Sequence, residues 1–367
     1  MMPGVRRVRD QLSNSPAARA WLGSRLVVLA ALLTAWLIPS HQHASLLAWD
    51  GYWYDTIAKH GYLAGPLGAI RFFPAWPLLA RWSAALVGAP PGVLLVVIAN
   101  AASLVYFALA RHVAVDARLS PAAVHLVPAV VAYAPAGFVL VMGYAEALFG
   151  ALLAVVLLGA RRRQWLWCAG AGIAAGALRP TGVLLCLPIA VEACRGLRSA
   201  TPAGVAARVG ALCAPVAGLG LFLGWSWHAY GDPLAPFRAQ TVADLRGGVV
   251  VDPLVTLGSA VSAAVAGKPN ALLLHLVWIG VALALLVVSA RRLPVSYTAF
   301  AAATLFLAVT AQDFSSFERY ACSALPLLLA AALVLADRPR LRAAAAILGP
   351  AVLFGHALYA FLAGYVP

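Results

Sequence analysis

Apolar segments recur along the whole chain and are separated by short polar stretches. Most of them are long enough to cross a hydrocarbon core of about 30 Å as a helix, so the pattern predicts an all-α polytopic membrane protein. A transmembrane β-barrel would need short segments of alternating polarity, whereas these segments are continuous. The predicted spans are 22–39, 92–110, 120–141, 144–160, 165–178, 181–194, 209–228, 270–290, 294–311, 319–336 and 343–363.

One further segment, 72–88, is apolar but short for a span, and it contains two prolines and an arginine. If it crossed the membrane, the basic cluster 161–163 and every later basic cluster would lie outside, against the usual cytoplasmic preference. We therefore predict an interfacial or re-entrant helix on the extracytoplasmic face. Its tryptophans, Trp76 and Trp82, are then typical of an interfacial aromatic belt.

The composition and the charge support this arrangement. Only 10% of the residues are charged and the mean hydropathy is +0.89, whereas soluble domains carry about 25% charged residues. The formal net charge is +14, and the predicted topology places eighteen arginines and four acids inside while the outer charges cancel. Because a basic excess is typical of cytoplasmic loops, we expect a plasma-membrane protein with a cytoplasmic N-terminus, an outer C-terminus and no nucleic-acid partner.

No soluble domain is visible, so residues 1–367 are predicted to form one transmembrane domain. Two large extracytoplasmic loops, 40–91 and 229–269, are expected to carry most of its polar outer surface.

Several acids on the predicted outer face lie close to helix ends, among them Glu146 and Glu318. A buried carboxylate there needs a partner, water or a function. Glu146 is expected either to pair with Arg179 or Arg319 as a structural ion pair, or to form part of a site. Carboxylates together with arginines suit an anionic, lipid-linked substrate, because arginine binds phosphate bidentately and a carboxylate accepts a hydroxyl proton.

The stretch AWDGYWYDTIAKHGY, after the first span, contains Asp50 and Asp55 among Trp49, Trp53 and Tyr54. An aromatic belt explains the rings but does not need the acids. Nearby histidines lack a regular ligand spacing, so no metal site is predicted, and a divalent metal is neither required nor excluded.

These residues resemble the PIG-V type of mannosyltransferase in the GT-C glycosyltransferase superfamily. The positions that fill the first motif of that family are Trp49-Asp50, Trp53-Tyr54, Ile57-Ala58, Gly61-Tyr62 and Phe72-Phe73-Pro74 with Pro77. Two later blocks are similar to the family at Glu146, Phe149, Arg179 and Gly182, and at Arg319, Tyr320 and Pro326. The resemblance covers residues 22–336, whereas 229–269 and the last helix match no part of the family pattern.

The resemblance implies a GT-C-type bundle with interfacial helices in the first outer loop. It also implies transfer of mannose from a polyprenyl-phosphate donor to a hydroxyl of a lipid-anchored glycan, with inversion to an α-linkage. Asp50 would act as the general base, and Arg319, Arg179 and Arg71 would bind the leaving phosphate. The predicted substrate-binding set is Trp49, Trp53, Tyr54, Asp55, Arg71, Glu146, Arg179, Glu318, Arg319 and Tyr320.

Three alternatives stay open at this point. The donor sugar could be arabinose or glucose; the chain could transport a lipid-linked sugar; or it could be an inactive, partner-binding homologue. Transporters often show internal repeats and broken helices near the midplane, whereas this chain shows no repeat and its acids gather at one surface. The composition, with 24 arginines and two lysines, is typical of a GC-rich genome such as that of an actinobacterium, which favours an envelope glycolipid or lipoglycan as the acceptor.

Overall fold

The computed structural model describes residues 15–65, 67–242, 251–266, 272–311, 314 and 316–362. Asp244 and Asp313, which the predicted topology places on the outer face, and part of the loop 229–269 lie outside these residues. The described residues form α-helices joined by short turns and 3-10 segments. The helices are α1 (Pro16–Trp36), α2 (Asp50–His60), α3 (Ala75–Val87), α4 (Pro91–Asp116), α5 (Pro121–Ala132), α6 (Glu146–Arg161), α7 (Trp165–Leu178), α8 (Cys186–Cys194), α9 (Pro202–Tyr230), α10 (Ala235–Thr241), α11 (Pro253–Val265), α12 (Leu272–Arg292), α13 (Val295–Val309), α14 (Phe317–Ser323), α15 (Leu325–Asp337) and α16 (Pro339–Phe361).

Five helices of the described chain, α1, α4, α9, α12 and α16, are long and apolar enough to cross a membrane by length and composition. Helices α14 and α15 pass the same test together, although they are bent by 79° at the break between them. The prediction of a helical membrane protein agrees with these lengths. The remaining five predicted spans correspond to shorter helices, so the count of eleven is not confirmed.

The segment 40–91, which is predicted to be the first outer loop, contains two helices, α2 and α3, and the resemblance implied helices there. Helix α3 has 13 residues, which is about 20 Å of helix and less than the thickness of a hydrocarbon core. Its length agrees with the prediction that 72–88 does not span, whereas the side on which it lies stays a prediction.

The belt interpretation of Trp76 was wrong. Trp76 is fully buried, and its indole Nε1 donates a hydrogen bond to the carbonyl of Gly143 at 3.0 Å. It therefore fixes α3 onto the segment before α6, whereas Trp82 on the same helix is 63% exposed. The helical period decides this difference, because residues six apart lie about 120° from each other around a helix and so on different faces.

A break between α5 and α6 leaves backbone carbonyls without helical partners. Arg25 of α1 donates from Nη2 to the carbonyl of Leu140 at 2.9 Å. Asn100 of α4 donates from Nδ2 to the carbonyl of Val141 at 2.9 Å, and its Oδ1 accepts from Arg25 Nε at 2.9 Å. Backbone polar groups at membrane depth need such partners, so these two side chains stabilise the turn that leads into α6.

Close packing of α7 against α9 depends on glycines. A Cβ added to Gly176 would lie 2.0 Å from the carbonyl oxygen of Pro215, and one added to Gly218 would lie 2.0 Å from that of Ile173. Gly172 and Gly176 form a small-xxx-small pair on α7, the pattern that lets helix backbones approach closely in membranes. This contact holds the end of α7, where Arg179 follows.

We predict that Gly176→Ala lowers the free energy of unfolding by about 1–3 kcal/mol, because overpacking forces the backbones of α7 and α9 apart. Unfolding of the detergent-solubilised protein measures the change. Gly170→Ala on the same helix is the control, because its Cβ would meet nothing within 4 Å. Equal stability of the two variants would contradict the proposed contact.

We predict that a cysteine at position 90, introduced in a background without the five native cysteines, reacts with a membrane-impermeant thiol reagent from outside intact cells. Pro90 is exposed at the start of α4, after the helix that is expected to stay on the outer face. Protection of this cysteine until the membrane is opened would mean that the predicted topology is wrong.

Candidate functional site

Two acids and two arginines, distant in the sequence, meet in one charge cluster: Asp50, Arg319, Glu146 and Arg179. Arg319 Nη1 donates to Asp50 Oδ2 at 2.7 Å, and Arg319 Nε lies 2.8 Å from Glu146 Oε1. Arg179 Nη1 donates to the same Glu146 oxygen at 2.6 Å. The formal charges of the four groups cancel, so each buried ion has an opposite charge beside it.

Burial separates the roles that these groups can take. The side chains of Glu146 and Arg179 are 4% and 6% exposed, whereas that of Asp50 is 23% exposed. Asp50 Oδ1 accepts no hydrogen bond from the residues that the structure describes. Asp50 is therefore the carboxylate that a substrate hydroxyl could reach, and Glu146 is the one that holds the arginines.

A strained turn before α2 positions Asp50. Trp49, immediately before α2, has φ 57° and ψ −121°, a conformation that costs a non-glycine residue free energy and that clusters at functional sites. Its indole Nε1 donates to the carbonyl of Ala360 at 3.0 Å, which anchors the turn to α16. Asp50 is the first residue of α2, where the helix dipole favours a negative charge. Its backbone N–H donates to the hydroxyl of Tyr144 at 3.2 Å.

The turn after α7 positions Arg179. The residue before a proline disfavours the helical region, and Arg179, before Pro180, is extended with φ −154° and ψ 148°. The N–H of Gly182 donates to the carbonyl of Arg179 at 2.9 Å. A Cβ on Gly182 would lie 2.2 Å from the carbonyl oxygen of Ala175, so the Arg-x-x-Gly pattern has a steric reason.

Arg319 comes from the short helix α14, which also begins at a strained residue. Ser316 has φ 60°. The segments that precede Asp50 and Arg319 therefore each contain a non-glycine residue with positive φ. The guanidinium of Arg319 lies 5.4 Å from the ring centroid of Tyr144. Aromatic rings similarly flank Arg179, with Phe149 at 5.6 Å and Tyr320 at 5.8 Å. These cation–π contacts orient the arginines where few water molecules can do so.

Aromatic side chains of the first outer loop form a wall beside the cluster. Trp53 stacks on Phe72 with ring centroids 5.7 Å apart, and the guanidinium of Arg71 lies 5.3 Å from the Trp53 ring. Tyr54 packs edge-on against Phe72. Burial raises the pKa of the Tyr54 phenol well above its usual range, and the negative charges of Asp50 and Glu146 raise it further, so Tyr54 stays protonated.

Two residues of the predicted set have other partners. Asp55 forms an i,i+4 pair with Lys59 at 2.5 Å, and its Oδ1 faces Gly92 at the start of α4. Glu318 is 1% exposed, and both its carboxylate oxygens lie within hydrogen-bond distance of His275 Nδ1, at 2.8 and 2.9 Å. Neither contact connects these acids to the arginines of the charge cluster, and a role for them in substrate binding stays a prediction.

Sequence reasoning missed two residues that contact predicted site residues. Tyr144 and His275 contact Asp50 and Glu318, yet neither was a candidate. A histidine inside the apolar segment 270–290 is a usable signal, because an ionisable residue there needs a partner. Tyr144 gave a weaker signal, since a tyrosine near a helix end is ordinary in a membrane protein.

The arrangement can bind an anion and accept a proton at adjacent positions. Among the described residues, no group of three or more histidine, cysteine, aspartate or glutamate side chains is placed to hold a metal ion. Arginines carry the positive charge at the cluster instead, and they match the planar geometry of phosphate and carboxylate groups.

Comparison with known proteins finds distant likenesses only. No family model matches the chain, and no curated protein is significantly similar to it. A crystal structure of the Archaeoglobus fulgidus oligosaccharyltransferase with zinc and sulfate is 15% identical, with a TM-score of 0.45, over 91% of this chain and 53% of that one. The apo form of that enzyme gives 14% identity and 0.42 over 93% and 54% of the two chains.

A third structure is the archaeal oligosaccharyltransferase AglB from Archaeoglobus fulgidus with an inhibitory peptide and a dolichol-phosphate. It is 14% identical, with a TM-score of 0.44, over 93% of this chain and 56% of that one. The chain therefore spans about half the length of these structures. At this low sequence identity and TM-score, the likeness does not identify a function.

We predict that Glu146→Gln lowers the free energy of unfolding by about 3–5 kcal/mol, because it leaves two buried arginines without their shared carboxylate. Adding Arg179→Gln removes one of those cations, so the double variant is expected to lose less stability than the sum of the two single changes. Unfolding in detergent, analysed as a double-mutant cycle, measures both effects.

The control for this cycle is Lys59→Gln, which removes a pair whose lysine is 45% exposed and is expected to change stability by about 0–1 kcal/mol. Strictly additive effects of the Glu146 and Arg179 changes would show that the pair is not energetically coupled.

Proposed function

We propose that this chain is a GT-C-type membrane glycosyltransferase that transfers mannose from a polyprenyl-phosphate donor to a hydroxyl of a lipid-anchored glycan on the extracytoplasmic face. The observation that supports this best is the charge cluster, in which an accessible carboxylate, Asp50, shares Arg319 with a buried carboxylate, Glu146. A proton acceptor and a phosphate-binding group thus lie side by side, as a transfer from a phosphate-linked sugar requires.

The proposed reaction is a single displacement. Asp50 accepts the proton of the acceptor hydroxyl while the acceptor oxygen forms a bond to the anomeric carbon of mannose. The bond between that carbon and the phosphate oxygen breaks, and polyprenyl phosphate leaves with the electron pair. Attack from the face opposite the leaving group converts the β-linked donor to an α-linked product, as in the base half of an inverting glycosidase.

Arg319 connects the two events. Before substrate binds, its Nη1 donates to Asp50 Oδ2 at 2.7 Å, so this oxygen of the carboxylate is already engaged. A donor phosphate beside Arg319 competes with Asp50 for the same guanidinium, which leaves the Asp50 carboxylate available to accept the proton of the acceptor hydroxyl. As the sugar–phosphate bond breaks, negative charge grows on the phosphate and its attraction to the arginine increases.

Glu146 and Arg179 have a supporting role in this mechanism. Glu146 Oε1 contacts both arginines and is too deeply buried to reach an acceptor without a rearrangement. It fixes the position of Arg319, and Arg179 supplies the second positive charge near the phosphate. Positioning of this kind contributes to the rate because misplaced groups lose orientation in the transition state.

The aromatic wall suits the sugar. Trp53 is half-buried and packs against both Phe72 and Arg71, so its exposed part is available to the apolar face of a pyranose ring. Arg71 beside it extends the positive region toward the donor phosphate. The identity of the sugar as mannose rests on the resemblance of the first outer loop to the PIG-V family.

We predict that Asp50→Asn lowers label transfer from a radiolabelled polyprenyl-phosphate mannose to lipid acceptors by about 10²–10⁴-fold, because a general base contributes roughly that factor. The assay uses purified protein in detergent with envelope glycolipids and lipoglycans as candidate acceptors. Size-exclusion behaviour and thermal unfolding are measured in parallel to show that the variant folds.

The matched control is Asp55→Asn, the same change on the same helix at a residue paired with Lys59; its loss of activity is expected to be much smaller than that of Asp50→Asn, because it removes no general base. Full activity of Asp50→Asn would overturn the assignment of the base. Parallel reactions with arabinose and glucose donors decide the sugar. Flux of lipid-linked sugar across liposomes without any transfer would favour a transporter instead.

A further inference from the structure

An apolar cavity of about 600 Å³ lies between α5, α12, α15 and α16, apart from the charge cluster. On α12 its lining includes Val281, which is 42% exposed, and Ala282, which is 4% exposed. The cavity therefore extends from the buried interior to the periphery of the helix bundle, where the protein would contact lipid if α12 crosses the membrane.

The first half of α16 leaves this space open because its facing residues are small. Ala345, Ala346, Gly349 and Pro350 line the cavity, and their spacing of three and four residues places them on one face of the helix. The second half of α16 packs differently, since Leu353 and Ala357 are buried in an apolar cluster with residues of α1. The residues that line the cavity on α16 extend over about 12 Å of helix.

A positive charge lies at one end of the cavity. Arg342 lines it and belongs to the same face of α16 as the small residues. Arg338 immediately precedes the helix as its N-cap residue, whereas Arg340 lies about 200° around the helix from Arg342. The acid beside them, Asp337, forms an ion pair with Arg292, and no described acid pairs with Arg338, Arg340 or Arg342.

We propose that this cavity binds an anionic phospholipid, with an acyl chain along the small-residue face of α16 and the headgroup phosphate at Arg342. Basic pockets between helices on the cytoplasmic side of membrane proteins suit such headgroups, and the cluster 338–342 is on the predicted cytoplasmic side. The N-terminus of α16, which begins at Pro339, adds its helix dipole to the attraction of the phosphate. A zwitterionic lipid of the same chain length would gain the apolar contacts but less of the charge interaction.

The opposite end of the cavity is compatible with an acyl chain. Glu318 borders the cavity there, and its carboxylate is paired with His275, so the acyl chain of the lipid would not face an isolated charge. This proposal stands independently of the proposed transferase reaction, because it uses neither Asp50 nor the arginines of the charge cluster.

The test uses the full chain, purified in detergent and stripped of lipid. Phosphatidylglycerol and phosphatidylcholine with identical acyl chains are added separately, and binding is measured by native mass spectrometry and by the shift of the unfolding temperature. We expect one tightly bound phosphatidylglycerol and weaker binding of phosphatidylcholine. Arg342→Gln is expected to weaken phosphatidylglycerol binding about fivefold, the effect of roughly one favourable charge near a lipid headgroup.

Arg340→Gln is the matched control, because it removes the same charge from the same turn on another face. It is expected to leave binding nearly unchanged. Ala346→Phe fills the cavity without altering charge and is expected to weaken both lipids. Equal losses in the Arg342 and Arg340 variants, or equal affinity for the two lipids, would overturn the proposal. Stoichiometric displacement of phosphatidylglycerol by polyprenyl phosphate would also overturn it and assign the cavity to that lipid.

Discussion

The structure depends on how the buried carboxylate of Glu146 finds partners of opposite charge. Desolvation of an isolated ion costs several kcal/mol even after relaxation, and a side chain 4% exposed recovers little of that from water. Two arginines from separate segments compensate for it, since Arg179 follows α7 and Arg319 belongs to α14. Asp50 joins the same cluster, because Arg319 also pairs with this residue at the start of α2. Three distant parts of the chain are thereby held around α6 by charge balance.

Such a cluster does not by itself indicate a more stable fold, but it does fix the positions of its charged side chains. Replacing buried ion pairs with apolar residues is often neutral or stabilising, whereas removing one partner is harmful. A chain with 63% hydrophobic residues could fill this volume with aliphatic side chains. It instead places there strained turns at Trp49 and Ser316, an extended residue before Pro180 and a break before α6 that Arg25 and Asn100 support. Interruptions of this kind at membrane depth are tolerated where they line a site.

The sequence predicted the helical class, the helices of the segment 40–91 and an ion pair among three of the four charged residues of the cluster. It paired Glu146 with Arg179 or Arg319, and the structure pairs it with both. It also separated Asp50 from Asp55 through the family resemblance, and the contacts of the two acids differ accordingly. It failed for Trp76 because an aromatic residue in a short amphipathic helix is ordinary at an interface, and only packing against the segment before α6 decides its burial. The count of spans was not confirmed, since hydropathy does not reveal how short a helix is when an apolar segment contains a break.

The sequence alone determined what is local or additive: apolar segment lengths, the positions of the basic clusters along the chain, the proline and glycine that shape the turn at Arg179, and the acid after Trp49. The tertiary structure decided which charges meet. Asp50 and Arg319 are 269 residues apart, and His275 reaches Glu318 across 43 residues. No period or spacing in the chain encodes such pairs, because they arise when several helices close around buried ions that can exist there only in balance.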